Sequence, residues 1–123
     1  EAKSNGQNSV TFWGTGKPYR EFMYADNLVS AIKTLLEKKM SYQPVNIGPG
    51  IDTPIKDIIN LISGFANFSG KILWDSSKPD GALHKTVDGS KGFRHFNWTP
   101  QIKLKEGILE TIQWYERSLD GRN

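Results

Sequence analysis

The chain has 123 residues, 37% of them apolar and 24% charged, with a net charge of +3 and no cysteine. That length suits one domain able to bury roughly two-thirds of its unfolded surface. It leaves no disulfides or thiolate metal sites, no apolar run near the roughly 20 residues of a membrane span, and no secretory signal. The 16 basic residues are offset by 13 acidic ones and scattered along the chain, so anions are favoured in general without the basic stripe of a nucleic-acid binder.

These properties fit a cytoplasmic protein without membrane or nucleic-acid partners. The chain opens Glu1-Ala2-Lys3 and has Met only at positions 23 and 40, so a piece of a longer protein is expected.

Residues 1–8, EAKSNGQN, read as a flexible loop or frayed end. SVTFWG (9–14) reads as a short strand, TGKP as a turn, and YREFMY (19–24) as a second extended stretch. Asp26 is the expected cap of a helix over 27–39 whose core face is Leu28, Val29, Ile32, Leu35 and Leu36; Lys38 and Lys39 suit its C-terminal dipole. PVNIG (44–48) is expected as a strand closed by a tight turn.

Asp52 or Thr53 is then expected to cap a helix with Pro54 near its first position and Ile55, Ile58, Ile59, Ile62 and Phe65 buried. KILW (71–74) reads as a strand and DSSKPDGALHK (75–85) as a long polar loop turning at PDG. A short helix around 88–95 precedes an amphipathic helix over 103–119 with Leu104, Ile108, Ile112, Tyr115 and Leu119 inward. The expected class is α/β, α+β-like, with three main helices and short strands forming a small parallel sheet.

The chemistry-bearing residues admit two readings. On residue type alone, Trp13 beside Gly14 is a core aromatic with a turn glycine, and Arg20 is a solvated or ion-paired strand residue near Glu21. Lys78 and Lys85 are then loop charges, and His84 and His95 are surface residues without metal-ligand spacing. The alternative makes Arg20 a planar fork for phosphate, with Asp80 and Lys85 closing on it from the long loop. No strand is followed by G-x-G-x-x-G or G-x-x-x-x-G-K-[ST], and no Y-x-x-x-K occurs. The residues describe a binding surface rather than an active site.

WGTGKPYREFMYADN resembles the W-G-[ST]-G-x-x-x-R-E-F landmark of the nucleotide-sugar-modifying branch of the extended short-chain dehydrogenases/reductases, the NAD-dependent epimerase/dehydratases. VNIGPGIDTPIKDI is similar to the next landmark and WDSSKPDGALHK to the third, F-D-x-S-K-P-D-G-x-x-x-K. This last motif points to the epimerase/reductases that make GDP-L-fucose from GDP-4-keto-6-deoxymannose. The likeness spans residues 9–119.

The resemblance implies a C-terminal substrate-binding domain over 1–123. An N-terminal Rossmann domain outside this chain would hold NADP and the catalytic Ser/Tyr/Lys set, in a parent enzyme expected to be a homodimer. Neither His84 nor His95 inherits a catalytic role, and no catalytic, cofactor or metal residue is expected here. By motif position Trp13, Arg20, Asp80 and Lys85 match residues that contact the GDP-sugar. Tyr24 stands where His is frequent in the family, and His84 where a basic residue such as Arg is frequent, which leaves open a relative acting on another nucleotide sugar. A stand-alone, non-catalytic anion- or nucleotide-sugar-binding module is the reading from a different functional class.

Overall fold

The computed structural model describes residues 1–38, 44–119 and 121. Its elements run β1 (Ser9–Trp13), β2 (Tyr19–Glu21), α1 (Ala25–Glu37), β3 (Asp52–Pro54), α2 (Ile55–Phe65), β4 (Lys71–Asp75), β5 (His84–Lys85), α3 (Ser90–Phe96) and α4 (Leu104–Leu119). The class is the mixed α/β expected, with α1, α2 and α4 as the main helices. Two sheets replace the single parallel one. β1 pairs in parallel with β4 from Ser9↔Lys71 to Trp13↔Asp75. β2 lies between β3, antiparallel, and β5, parallel. Each parallel pair is joined by a long excursion through helices, as parallel pairing requires.

The core is built by an edge of α1 that adjoins the face periodicity selects and shares only Leu35 with it. Ala31, Phe96 and Trp98 are buried, with Met23, Leu35, Val45, Ile47 and Phe93 packed around them. Asn27, Ala31 and Leu35 therefore form the inward edge at i, i+4, i+8. Asn27 is 3% exposed. Its Nδ2 donates to the Ile102 carbonyl at 2.7 Å, and its Oδ1 accepts from the N–H groups of Gln101 and Ile102, both at 3.0 Å. Trp98 Nε1 donates to Ser30 Oγ at 2.8 Å, which donates to the Asn27 carbonyl. One polar side chain thus ties α1 to the segment leading into α4; of the expected stripe only Leu35 packs inward, and Leu28, Val29, Ile32 and Leu36 are left exposed.

Other local expectations are corrected. Asp26 sits in the first turn of α1, where its charge suits the dipole, and Tyr24 occupies the N-cap without a side-chain bond. Asp52 and Thr53 belong to β3, and Pro54 is the N-cap of α2. Within the expected α2 stripe, Ile58 is buried but Ile62 is exposed. PVNIG forms no strand. Lys38 closes α1 and donates from Nζ to the Phe96 carbonyl at 2.5 Å; Lys39 lies outside the described residues.

On α4, Leu104, Ile108 and Ile112 are half-buried, while Tyr115 and Leu119 are exposed. Gly107 is buried because a Cβ there would stand 2.8 Å from the Cβ of Tyr24. Residues 1–7 turn through backbone bonds from Asn5 N–H to the Glu1 carbonyl and from Gln7 N–H to the Ala2 carbonyl. Among the described residues no helix is long and apolar enough to cross a membrane.

Candidate anion-binding face

The turn after β1 is shaped by what packs against it. Gly14 and Gly16 have φ of +81° and +71°, a region that glycine enters without steric cost. A Cβ on Gly14 would collide with the Asp80 carboxylate, and one on Gly16 would stand 2.5 Å from the Trp74 ring. Between them, Thr15 donates its N–H to Asp80 Oδ1 and its hydroxyl to Asp80 Oδ2, both at 2.6 Å. These two bonds, the hydroxyl first, hold the Asp80 carboxyl below the usual carboxylate range; desolvation opposes them and the Lys17 charge adds a smaller lowering effect. Asp80 is thus an ionised anchor that fastens the long loop to the β1–β2 turn. Each of its oxygens keeps one further lone-pair direction for a ligand.

The loop is organised at both ends. Asp75 Oδ1 accepts from the N–H and hydroxyl of Ser77, and the Asp75 carbonyl accepts from the N–H groups of Gly14 and Lys78. At the far end, Arg20 Nη1 donates to the carbonyls of Tyr19 and Ala82, at 2.6 and 3.0 Å. One side of the guanidinium is therefore spent on backbone. Its Nε and Nη2 have no hydrogen-bond partner among the described residues, so part of the fork is available to an anion.

Lys85 on β5 is the register partner of Arg20, and paired positions of neighbouring strands share a face. Like charges directly opposite one another in a sheet are destabilising; a bound anion reverses the sign. Trp13 is 77% exposed, with Lys78 Nζ 5.9 Å from its ring centroid, so it is not a core aromatic but a free apolar surface with a cation beside it.

Of the four residues singled out from the sequence, Arg20 and Lys85 are placed side by side. Asp80 is bound to the turn between Trp13 and Arg20, and Trp13 stands exposed at the end of β1. Thr15 is the functional neighbour that sequence reasoning missed; its position between two glycines of a tight turn is the signal available for it. Concavities of about 350 and 320 Å³ are lined mainly by apolar side chains of α2, α4 and β1, and one of about 400 Å³ surrounds Glu21 and Asp88. None of the three is lined by Trp13, Arg20 or Lys85; Lys85 is exposed and Arg20 half-buried, so the cationic pair faces solvent.

Among the described residues no group of three His, Asp or Glu side chains is placed to hold a metal. The glycines of 14–16 join two strands and are filled by Asp80 and Trp74, so this turn does not fit a dinucleotide pyrophosphate, which takes a strand-to-helix turn open to the ligand.

The sequence model of the NAD dependent epimerase/dehydratase family matches residues 1–48. Over 115 residues, 94% of this chain and 35% of the other, the chain is 42% identical to the "Probable GDP-L-fucose synthase 1" of Oryza sativa subsp. japonica. It is 39% identical over 122 residues to GDP-L-fucose synthase 1 of Arabidopsis thaliana, covering 99% of this chain and 38% of that one. Among solved structures, a GDP-L-fucose synthetase from Naegleria fowleri superposes with a TM-score of 0.86 at 27% identity, over 97% of this chain and 36% of its own; that enzyme has also been solved bound to NADP. The chain spans little more than a third of the length of these relatives. In sequence and in fold the chain is similar to the GDP-L-fucose synthases, matching their C-terminal part, and its residues 1–48 carry the epimerase/dehydratase likeness.

Proposed function

We propose that this chain is the substrate-binding part of an NADP-dependent epimerase/reductase that converts GDP-4-keto-6-deoxymannose into GDP-L-fucose. The observation that carries the reading is the pairing of Arg20 with Lys85 on one open sheet face. Two cations in that position suit the diphosphate of a nucleotide sugar, which carries about two negative charges. Trp13 offers its exposed ring to the apolar parts of the ligand, and Asp80 accepts from nucleoside or sugar hydroxyls with its remaining lone pairs.

The reaction on this reading is proton removal and return at the carbons flanking the 4-ketone, followed by reduction of that ketone. The reduced cofactor, NADPH, would supply the hydride and leave as NADP+, and it is held by the part of the protein outside this chain. This chain's residues bind and orient the nucleotide and supply specificity; none of them exchanges a proton with the reacting carbons.

The exposed side of α1 is the docking surface for that other part. Leu28, Val29, Ile32 and Leu36 are all exposed on one helix, Leu36 at 83%, and clustered exposed apolar side chains mark interaction surfaces. The relatives are close to three times as long as the portion matched here, which leaves ample chain to cover it.

NADPH oxidation with GDP-4-keto-6-deoxymannose, followed for this chain alone and for the whole protein, tests the division of labour. The whole protein oxidises NADPH and this chain alone does not. Leu36→Glu leaves the melting temperature of this chain unchanged and lowers that of the whole protein. Turnover by the chain alone, or an unaltered melt of the whole Leu36→Glu protein, contradicts the assignment.

A further inference from the structure

The geometry points to His84 as a positioning residue that, with Tyr19 and Asp52, clasps the end of the long loop so that Lys85 stands beside Arg20. The inference rests on the anion-face reading for its purpose and on a separate set of contacts for its structure. β5 has only two residues, both exposed, and so short a strand has little capacity to hold itself in a sheet. Side chains alternate across a strand, so Lys85 goes to the face of Arg20 and His84 to the opposite one. There the His84 ring stacks on Tyr19, with centroids 4.5 Å apart and planes 11° from parallel. Its Nδ1 lies 3.1 Å from Asp52 Oδ2. Asp52 is on β3, beyond β2, so this one side chain reaches across the central strand and links both edges of the sheet.

The backbone tie beneath the clasp is the Tyr19 N–H donating to the Leu83 carbonyl at 2.7 Å, beside the bond from Arg20 to Ala82. His84 and Lys85 are consecutive, so fixing the first fixes the second. His84 does not face the anion itself; its contribution to binding is the placement of its neighbour.

The test combines GDP titration with amide hydrogen exchange on this chain. His84 is 55% exposed, so His84→Ala retains the fold. It weakens GDP binding about fivefold, in line with the loss of an exposed, stacked and hydrogen-bonded side chain, and speeds exchange of the Tyr19 amide by a similar factor. Asp52→Asn does the same to a smaller degree. His84→Arg, a cation able to meet Asp52, restores both readouts. Unchanged Tyr19 exchange in His84→Ala, or full loss in His84→Arg, overturns the clasp. Wild-type chain that does not bind GDP removes the anion-face reading instead, and the exchange arm then decides the clasp alone.

Discussion

Arg20→Ala lowers the affinity for GDP roughly 10- to 100-fold, the loss of one charge-assisted contact to phosphate. The magnitude follows from the part of the guanidinium left free after Nη1 is committed to the carbonyls of Tyr19 and Ala82. Arg20→Lys keeps the charge and loses the planar fork, so its affinity falls between those of wild type and Arg20→Ala. In the whole protein, NADPH binding stays near the wild-type value for both variants. Titration calorimetry with GDP and with NADPH, on variants whose melts are checked first, reads all of this. A GDP affinity unchanged in Arg20→Ala assigns Arg20 to loop support alone, and parallel loss of GDP and NADPH binding makes it a general structural residue.

Asn27→Leu is the substitution with the largest expected cost to stability. It leaves the Gln101 and Ile102 N–H groups and the Ile102 carbonyl without the partner they have in the folded chain. Gln101 is exposed and Ile102 half-buried, so each group stranded this way costs at the low end of about 1–3 kcal/mol; a total of roughly 3 kcal/mol is expected, a fall of roughly 10 °C in melting temperature for a domain of this size. Leucine at that position is as apolar as the neighbours and a better helix former than asparagine, so propensity predicts the opposite sign. A melt that rises, or moves by less than about 2 °C, shows that the bridge between α1 and the approach to α4 is dispensable.

Asn27 also shows where sequence reasoning stops. The apolar period of α1 is real, and it correctly places a helix there. Periodicity identifies an apolar face without saying what covers it. Here the narrow edge of Asn27, Ala31 and Leu35 packs inside this chain, while Leu28, Val29, Ile32 and Leu36 remain open. PVNIG fails as a strand for a related reason: alternation qualifies a segment for a sheet, and a ladder also needs a partner strand, which the described residues do not supply to it.

The candidate site was legible to a similar depth. Turn chemistry located the β1–β2 turn and the loop at PDG, because glycine and proline act on the local backbone. The bonds that join them span 65 positions, from Thr15 to Asp80, and no local signal in either segment announces the other. The reading of Trp13 as core failed because an aromatic beside a turn glycine has the same composition buried or exposed. His84 read correctly as a surface residue, and its reach to Asp52 on another strand became visible only with the register of β2, β3 and β5.

The central claim is that residues flanking the β1–β2 turn and the end of the long loop form the nucleotide-binding face. The most direct measurement is a titration of isotope-labelled chain with GDP-L-fucose, followed amide by amide in NMR spectra. The expected result is saturable shifts confined to residues 13–20 and 80–85, weakened by added salt, with the amides of α1 and α4 unmoved. Shifts confined to the groove between α2 and α4, or no shift at any concentration of the nucleotide sugar, would contradict it.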